Sequence, residues 1–178
     1  MRIRPATLPI TMKNEQISPS TAIRLIRKSD NNVVAGIIRE VMTEFKAVGS
    51  GFSINDPEVD DMYAAYFPEG SEFYVIESNG EVLGCGGIAP LTGGDRDTCE
   101  LRKMYFLRPL RGTGMGATLL SLCLDRAHRL GYKRCYLETL DSMEKARKLY
   151  EKYGFRYLDK PMGNTGHTSC GTWMAKDL

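Results

Sequence analysis

The first third of the chain passes from a strand-like to a helix-like hydrophobic pattern. Apolar and polar residues alternate from Thr21 to Arg27, as in a half-buried strand. Ser29 and Asp30 then offer N-caps for an amphipathic helix that runs to about Val48. The sequence Asp56-Pro57-Glu58 combines an N-cap, a proline at the first helical position and an acid in the first turn, which predicts a second, shorter helix.

The middle of the chain has the pattern of an antiparallel meander. Glu72 to Glu77 predicts a strand, and the following Asn79-Gly80 pair is typical of a type I′ hairpin turn, in which both central residues need positive φ. The returning strand runs from Val82 toward Ile88, and Cys99 to Leu107 adds a third strand.

The last part of the chain alternates between strands and helices. An amphipathic helix over Ala117–Leu130 is followed by a strand over Arg134–Leu140 and a helix over Ser142–Tyr153. Two closing strands are predicted at Phe155–Asp159 and Gly171–Ala175. Together with the meander, this order predicts a mixed α/β fold, with an antiparallel N-terminal meander and a β-α-β-α-β C-terminal half.

The composition favours one soluble domain. The chain has 178 residues, of which 42% are hydrophobic and 26% charged, and we expect a flexible arm over 1–20 and a single domain over 21–178. A net charge of +2 without a basic run argues against a nucleic-acid partner. No apolar stretch approaches the roughly 20 residues that cross a bilayer, so we expect no membrane partner.

The cysteines and histidines do not form a convincing metal or disulfide pattern. The five cysteines are scattered without a C-x-x-C pair, which predicts free thiols in a reducing cytoplasm. His167 and Cys170 are close in sequence, but two ligands do not make a zinc site, so no metal is expected. The loop that holds them is a candidate lining of a substrate pocket, where a histidine can accept a proton.

The main chemical motif is the run from Arg111 to Ala117, which contains three glycines between a strand and a helix. The glycines allow close backbone approach to a ligand, and the helix N-terminus offers unpaired N–H groups to an anion such as a pyrophosphate. Arg108 and Arg111 add positive charge. The run also satisfies the dinucleotide fingerprint, with Glu138 about 20 residues on as the ribose-binding acid. The antiparallel hairpin before the loop weighs against this nicotinamide alternative.

Two motifs together resemble the GNAT acetyltransferase family. Arg111, Gly114 and Gly116 match its Q/R-x-x-G-x-G/A coenzyme A loop. Ala146 and the run Leu149-Tyr150-Glu151-Lys152-Tyr153-Gly154-Phe155 match its closing motif. The resemblance implies that acetyl-CoA is the co-substrate and that it is bound by Met104, Tyr105, Phe106, Arg111, Gly112, Thr113, Gly114, Met115, Gly116, Ala117 and Thr139. Met143 departs from the family, because an asparagine that helps to hold coenzyme A commonly stands there.

The resemblance also implies a reaction and two catalytic residues. An N-acetyltransferase moves the acetyl group to a primary amine by direct attack, so a proton must leave the amine and the departing thiolate benefits from a proton. Glu100 is the candidate base, with a water relay or a simple ion pair with Arg102 as alternatives. Glu100 and Met104 stand four residues apart on one strand, which predicts that they share a face. Tyr150 is the candidate acid.

The acceptor is the least determined part of the function. A small-molecule or peptide amine is expected, and Asp60 and Asp61 are candidates for binding a cationic amine, with helix capping as the alternative. A catalytically silent acyl-CoA-binding module and an NAD-dependent oxidoreductase are the competing functions. A homodimer is one of the assemblies that stay open.

Overall fold

The computed structural model describes residues 20–167 and 169–178, so the predicted N-terminal arm lies almost wholly outside the described residues. Seven strands form one sheet in the order β1-β2-β3-β4-β5-β7-β6. Their bounds are β1 Thr21–Leu25, β2 Glu72–Ser78, β3 Glu81–Pro90, β4 Thr98–Phe106, β5 Arg134–Thr139, β6 Arg156–Tyr157 and β7 Thr172–Asp177. Strands β1 to β4 are antiparallel, β4 and β5 are parallel, and β7 is antiparallel to β5 and β6. The predicted mixed α/β fold is confirmed.

The hairpin between β2 and β3 turns at the predicted pair. Asn79 has a φ of 51° and Gly80 a φ of 83°. A glycine and an asparagine tolerate this left-handed region better than other residues do, because a larger side chain meets the following carbonyl there. The local sequence therefore places the turn and the two pairs beside it, Ser78 with Glu81 and Glu77 with Val82, before the register shifts between Ile76 and Glu77.

Four α-helices cover the two faces of the sheet. They are α1 Asn31–Glu44, α2 Met62–Ala65, α3 Met115–Arg129 and α4 Glu144–Lys152. One buried cluster lies under α1 and α2 and contains Ile38, Met62 and Phe73. The other lies under α3 and α4 and contains Leu119, Ile88 and Tyr150. The sheet thus separates two hydrophobic cores.

Several element boundaries differ from the sequence prediction. Helix α1 ends at Glu44 rather than near Val48, and Lys46 has a left-handed φ of 58°. Helix α3 begins at Met115, two residues before Ala117, because Gly114 with a φ of 88° turns the chain into the helix. The predicted strand from Phe155 shortens to the two residues of β6.

The centre of the sheet contains a bulge and a gap. Strand β4 pairs with β5 only from Thr98 to Glu100, opposite Arg134 to Tyr136. The ladder between β3 and β4 slips between Cys85 and Gly87, and Lys103 within the slip has a φ of 52°. Such a bulge adds one residue to a strand and bends it. Beyond Glu100, β4 and β5 diverge and leave an opening in the sheet.

The bulge also overturns the prediction that Glu100 and Met104 share a face. Glu100 pairs with Ala89, which belongs to the cluster under α1, whereas Met104 packs against the cluster under α3. The period-2 argument holds only for an uninterrupted strand, and the extra residue at Lys103 reverses the side-chain alternation.

None of the helices in the described part of the chain combines the length and the apolar character that a membrane crossing requires.

We expect Gly87→Ala to destabilise the protein by about 1–3 kcal/mol, the usual range for overpacking. A Cβ at Gly87 would lie 2.3 Å from the Glu72 carbonyl oxygen and 2.9 Å from the Phe73 Cα on the neighbouring strand. Urea unfolding measures the change in the free energy of unfolding. The control is Gly36→Ala in α1, where nothing lies within 4 Å and alanine should stabilise by about 0.5–1 kcal/mol. Equal effects of the two substitutions would contradict the close strand approach.

Candidate active site

Two cavities meet at the opening between β4 and β5. The larger has a volume of about 470 Å³, within the range of small-molecule sites, and the smaller a volume of about 40 Å³. The residues that line both are Met104, Tyr105, Met143 and Tyr150. The larger cavity extends toward the glycine-rich loop, and the smaller one extends between the diverging strands.

The glycine-rich loop forms one wall of the larger cavity. Gly112 and Gly114 have φ values of 78° and 88°, and nothing lies within 4 Å of a Cβ placed on either residue. The Thr113 hydroxyl donates to the Leu110 carbonyl at 2.7 Å and holds the turn. Helix α3 starts directly after Gly114, so its first N–H groups lie at this loop. The loop is therefore a candidate anion site whose shape is set by contacts within the chain.

The predicted coenzyme residues divide into two groups by position. The first group lines a cavity: Thr139 borders the smaller one, and the larger one is lined by Met104, Tyr105, Phe106, Arg111, Gly112 and Gly116. The second group lines neither cavity, although its members belong to the same loop and helix start: Thr113, Gly114, Met115 and Ala117. The coenzyme roles of both groups stay predictions.

The Arg111 side chain is already occupied by partners within the protein. Its guanidinium makes two hydrogen bonds to Glu44, at 2.9 and 2.7 Å, and a third to the Phe106 carbonyl. Arg108 contacts the same Glu44 carboxylate at 3.3 Å. These hydrogen bonds to Arg111 lower the pKa of Glu44. The positive charge that the sequence assigns to the loop is therefore partly neutralised, and the end of α1 is tied to the loop.

Tyr150 lies where the two cavities meet. Its side chain is 6% exposed and packs against Phe155, with the ring centroids 5.8 Å apart. Burial raises the pKa of Tyr150 above the usual value of 10, so the hydroxyl is protonated near neutral pH. No hydrogen bond to this hydroxyl is found within residues 20–167 and 169–178, which leaves it available to a ligand.

Met143 stands where the family commonly has an asparagine, and it makes a different contact. Its sulfur accepts a hydrogen bond from the Thr139 hydroxyl at 3.8 Å, and its side chain borders both cavities. The thioether offers no donor to a ligand. At this position the cavity has an apolar wall instead of an amide.

Glu100 is buried in an ion pair. It is 2% exposed, and one carboxylate oxygen lies 2.5 Å from Arg102 Nε. Burial raises the pKa of Glu100, although the charge of Arg102 opposes the rise. Glu100 lines neither cavity. The contacts of Glu100 are therefore those of the alternative interpretation, a simple ion pair with Arg102.

Glu138 is the acid that borders the smaller cavity, together with Tyr150. Its Oε1 accepts hydrogen bonds from the Tyr136 hydroxyl at 2.9 Å and the Thr165 hydroxyl at 2.7 Å. Its Oε2 is buried and has no hydrogen-bond partner in the described chain. The sequence indicated Glu138 only as the ribose-binding acid of the nicotinamide alternative. Its place near the end of a strand is readable from the sequence, whereas the divergence beside it is not.

Asp56 belongs to a buried charged cluster rather than to a helix cap. Its side chain caps no helix, and it instead pairs with the Lys103 ammonium and lies 2.9 Å from His167 Nε2. Lys103 also lies 3.2 Å from Glu58. The Lys103 side chain is 1% exposed. A lysine this deeply buried requires such partners, and the cluster ties the bulge to the segment before α2 and to the loop before β7.

The two acids proposed for the acceptor have other contacts. Asp61 caps α2 by accepting from the Ala64 N–H, and it also accepts from the Asn31 side chain. Asp60 forms an exposed ion pair with Arg39. Neither residue lines a cavity. The helix-capping alternative is therefore correct for Asp61, and a surface ion pair accounts for Asp60.

A comparison with known proteins identifies the family. The sequence model of the acetyltransferase (GNAT) family matches residues 35–155, more than half of the chain. The chain belongs to the GNAT acetyltransferase family. This membership makes it an acyltransferase, and the match extends from α1 to Phe155, across the loop and Tyr150.

Individual relatives agree with this assignment. The chain is 41% identical over 160 residues to the uncharacterised N-acetyltransferase YjgM of Escherichia coli K12, a match that covers 89% of this chain and 96% of the relative. A GNAT acetyltransferase of Staphylococcus aureus has the same fold, with a TM-score of 0.77 at 19% identity over 89% of this chain and 99% of its own. A phosphinothricin acetyltransferase of Sinorhizobium meliloti, solved with acetyl-CoA, has a TM-score of 0.70 at 20% identity, covering 89% and 88%.

His167 gives this GNAT chain a predictable pH dependence of stability. Burial disfavours the His167 cation, but the hydrogen bond to Asp56 and the charge of Asp56 together outweigh it and raise the pKa above 6.5. A raised folded-state pKa contributes stability that is full below about pH 6.5 and is lost as the pH rises through the folded-state value. The difference in free energy of unfolding between wild type and His167→Gln should therefore shrink from pH 5.5 to 8.5.

Urea unfolding at several pH values measures this difference. Asp56 stays ionised across the range, because the bond from His167 and the charge of Lys103 lower its pKa despite burial. A difference that grows with pH would contradict the ion pair.

Proposed function

We propose that the protein transfers an acetyl group from acetyl-CoA to a primary amine by direct attack. The observation that carries the proposal is that a ligand-sized cavity beside the candidate anion site joins a second, smaller cavity at Tyr150. One cavity suits a co-substrate with a pyrophosphate, and the other gives a second substrate a separate route. The family membership and the acetyl-CoA complex of a fold relative support the same assignment.

The residues at the larger cavity fit coenzyme A. The loop from Arg111 to Ala117 would hold the pyrophosphate on backbone N–H groups, because Gly112 and Gly114 leave open space where side chains would stand. The walls contributed by Phe106 and Leu149 suit the largely apolar pantetheine arm. When bound, acetyl-CoA supplies a thioester whose carbonyl carbon is attacked and whose thiolate departs.

Tyr150 is the proposed acid. It borders both cavities, and its raised pKa keeps the hydroxyl protonated while a thiolate with an ordinary pKa of about 8.5 develops beside it. A neutral donor stabilises that charge without adding a cation that would repel an ammonium. For the base, the ion pair of Glu100 with Arg102 favours a route other than direct transfer to Glu100, such as the water relay.

Two measurements separate this function from its alternatives. A thermal-shift comparison should show stabilisation by coenzyme A and acetyl-CoA and none by NAD, because only a native-state ligand raises the melting temperature. Thiol release should then be followed with amino acids, alkyl diamines, aminoglycosides and peptides with a free amino terminus. Coenzyme binding without acetylation of any amine would favour a silent module, and stabilisation by NAD alone would favour an oxidoreductase.

The loop can be tested with two substitutions of nearly equal shape. Gly112→Asn and Gly112→Asp both tolerate the left-handed φ of this position, and only aspartate adds a negative charge at the proposed pyrophosphate site. We expect the Asp variant to bind acetyl-CoA about tenfold more weakly than the Asn variant, since a unit charge at a few Å is worth about 1–4 kcal/mol. Isothermal titration calorimetry measures both affinities.

Salt provides the internal control for this pair. The ratio of the acetyl-CoA affinities of Gly112→Asn and Gly112→Asp should approach one at 1 M salt, where the screening length falls to about 3 Å. Equal affinities of the two variants at low salt would argue against the loop as the anion site.

We expect Tyr150→Phe to lower kcat by about 100-fold or more, the usual contribution of a positioned acid. The KM for acetyl-CoA should change little, because the ring and its packing against Phe155 remain. Steady-state kinetics measure both. Tyr132→Phe is the control, since it removes the hydroxyl of another buried tyrosine, one that donates to the Gly70 carbonyl and borders neither cavity. Full activity of Tyr150→Phe would remove Tyr150 from the mechanism.

A further inference from the structure

One carboxylate at the smaller cavity has a free oxygen. Glu138 uses Oε1 for the hydroxyls of Tyr136 and Thr165, which leaves Oε2 buried and without a partner in the described chain. A buried polar atom without a hydrogen bond is unfavourable, because it loses its hydration without gaining a partner. A ligand that donates to Oε2 removes that cost, so the arrangement favours a donor in the adjoining cavity.

The cavity beside Glu138 suits a small donor. Its volume of about 40 Å³ exceeds the roughly 10–15 Å³ that one water molecule needs. It is bordered by Tyr150 and Met104, so it adjoins the end of the larger cavity where the thioester would lie. An amine nitrogen in this space would lie between the free carboxylate oxygen and the thioester.

The cations near Glu138 have other partners. Lys103 borders the same cavity, but its ammonium is held by Asp56 and Glu58. Arg102 is held by Glu100. The titratable and charged groups around Glu138 are Glu100, Lys103 and Tyr105 of β4, Tyr136 of β5, Tyr150 of α4 and Cys170 of the loop before β7. None of these neutralises Oε2 through a direct hydrogen bond.

We propose that Glu138 accepts the proton of the attacking amine through Oε2, and that the acceptor is a primary amine whose nitrogen enters the smaller cavity as a cation. This inference rests on the proposed acetyl transfer. It assigns to Glu138 the role that the sequence alone suggested for Glu100. The charge of the carboxylate selects an ammonium, and the small volume excludes a branched or substituted nitrogen.

The proton and bond changes balance without another reactant. The ammonium passes one proton to Glu138 Oε2 and becomes nucleophilic. Its nitrogen forms the C–N bond, and the C–S bond breaks. The departing sulfur takes a proton from the Tyr150 hydroxyl, and the second N–H proton returns through solvent to Tyr150. Glu138 releases its proton to solvent, so the products are an amide, a thiol and one proton.

Tyr136 and Thr165 act as positioning residues in this arrangement. Their hydroxyls hold Oε1, which fixes the carboxylate and leaves Oε2 without a hydrogen bond in the described chain. Thr165 belongs to the loop between β6 and β7, so the orientation of the carboxylate depends on a contact from that loop. Preorganised groups lose less free energy on binding than mobile ones.

The test compares Glu138→Gln with Glu100→Gln, using the amine that gives the fastest thiol release in the panel above. Glu138→Gln should lower kcat by about 100-fold or more, with an unchanged Kd for acetyl-CoA. The loss should shrink as the pH rises toward the amine pKa of about 10, because more of the amine is then neutral. Glu100→Gln should keep kcat within a few fold while the protein unfolds at lower urea concentration.

Binding of the same amine to the coenzyme A complex gives a readout apart from turnover. Calorimetry should show about tenfold weaker binding to Glu138→Gln, which corresponds to about 1.4 kcal/mol. If Glu138→Gln does not fold, Thr165→Val tests the same point, since it removes one hydroxyl from Oε1. It should lower kcat by a smaller factor and leave acetyl-CoA binding unchanged.

The outcomes are distinguishable. An active wild type with equally active Glu138→Gln, or a larger loss of kcat in Glu100→Gln, overturns the assignment of Glu138 alone. A uniform loss at every pH assigns Glu138 a structural role and also overturns it. A wild type that binds acetyl-CoA but acetylates no amine overturns the proposed function and the inference with it.

Discussion

The divergence of β4 from β5 is the constraint on which the site depends. The strands pair over three residues, and the extra residue at Lys103 then bends β4 away. Past this point the edges of β4 and β5 that face each other no longer pair, although β4 stays paired with β3 and β5 with β7. The opening between the two edges is where the two cavities meet. A continuous ladder would have closed the space where the cavities meet at Tyr150 and would have placed Glu100 and Met104 on one face.

A buried cation stabilises this bent geometry. Lys103 has a left-handed φ and a side chain that is 1% exposed. Both features are unfavourable for lysine in isolation. Asp56 and Glu58 from the segment before α2 compensate the charge, and Asp56 also contacts His167 from the loop before β7. The same contacts therefore hold the bulge and bring together the two segments that flank the smaller cavity.

The sequence predicted features that depend on neighbouring residues. The Asn79-Gly80 turn, the amphipathic helices and the glycine-rich loop were recognisable because their signals lie within a few positions. The fold class followed from the order of these elements. Contacts across the chain were not predictable in this way. Asp56 and Lys103 are 47 positions apart in the sequence. The sequence Asp56-Pro57-Glu58 looks the same whether Asp56 caps the following helix or pairs with a distant lysine.

The candidate site shows the same division. Tyr150 and the loop were found by motif, and they lie at the cavities. Glu100 was favoured by an alternation rule that assumes an unbroken strand, and a single left-handed residue makes that assumption fail. The environment of Glu138 depends on the divergence of β4 from β5. It also depends on the hydroxyls of Tyr136 in β5 and Thr165 in the loop after β6, which donate hydrogen bonds to its carboxylate. No local pattern carries that information.

The tie between Glu44 and Arg111 has a consequence for selectivity among anions. Because the guanidinium already holds a carboxylate, the loop attracts a ligand mainly through the N–H groups at the start of α3, whose field is short in range and fixed in direction. A site of this kind distinguishes anions by the positions of their oxygen atoms more than by their total charge. A pyrophosphate, the anion that the proposed function brings to this loop, would be ordered there as one unit, whereas two separate phosphates of the same summed charge would have to be ordered independently and would lose more entropy on arrival.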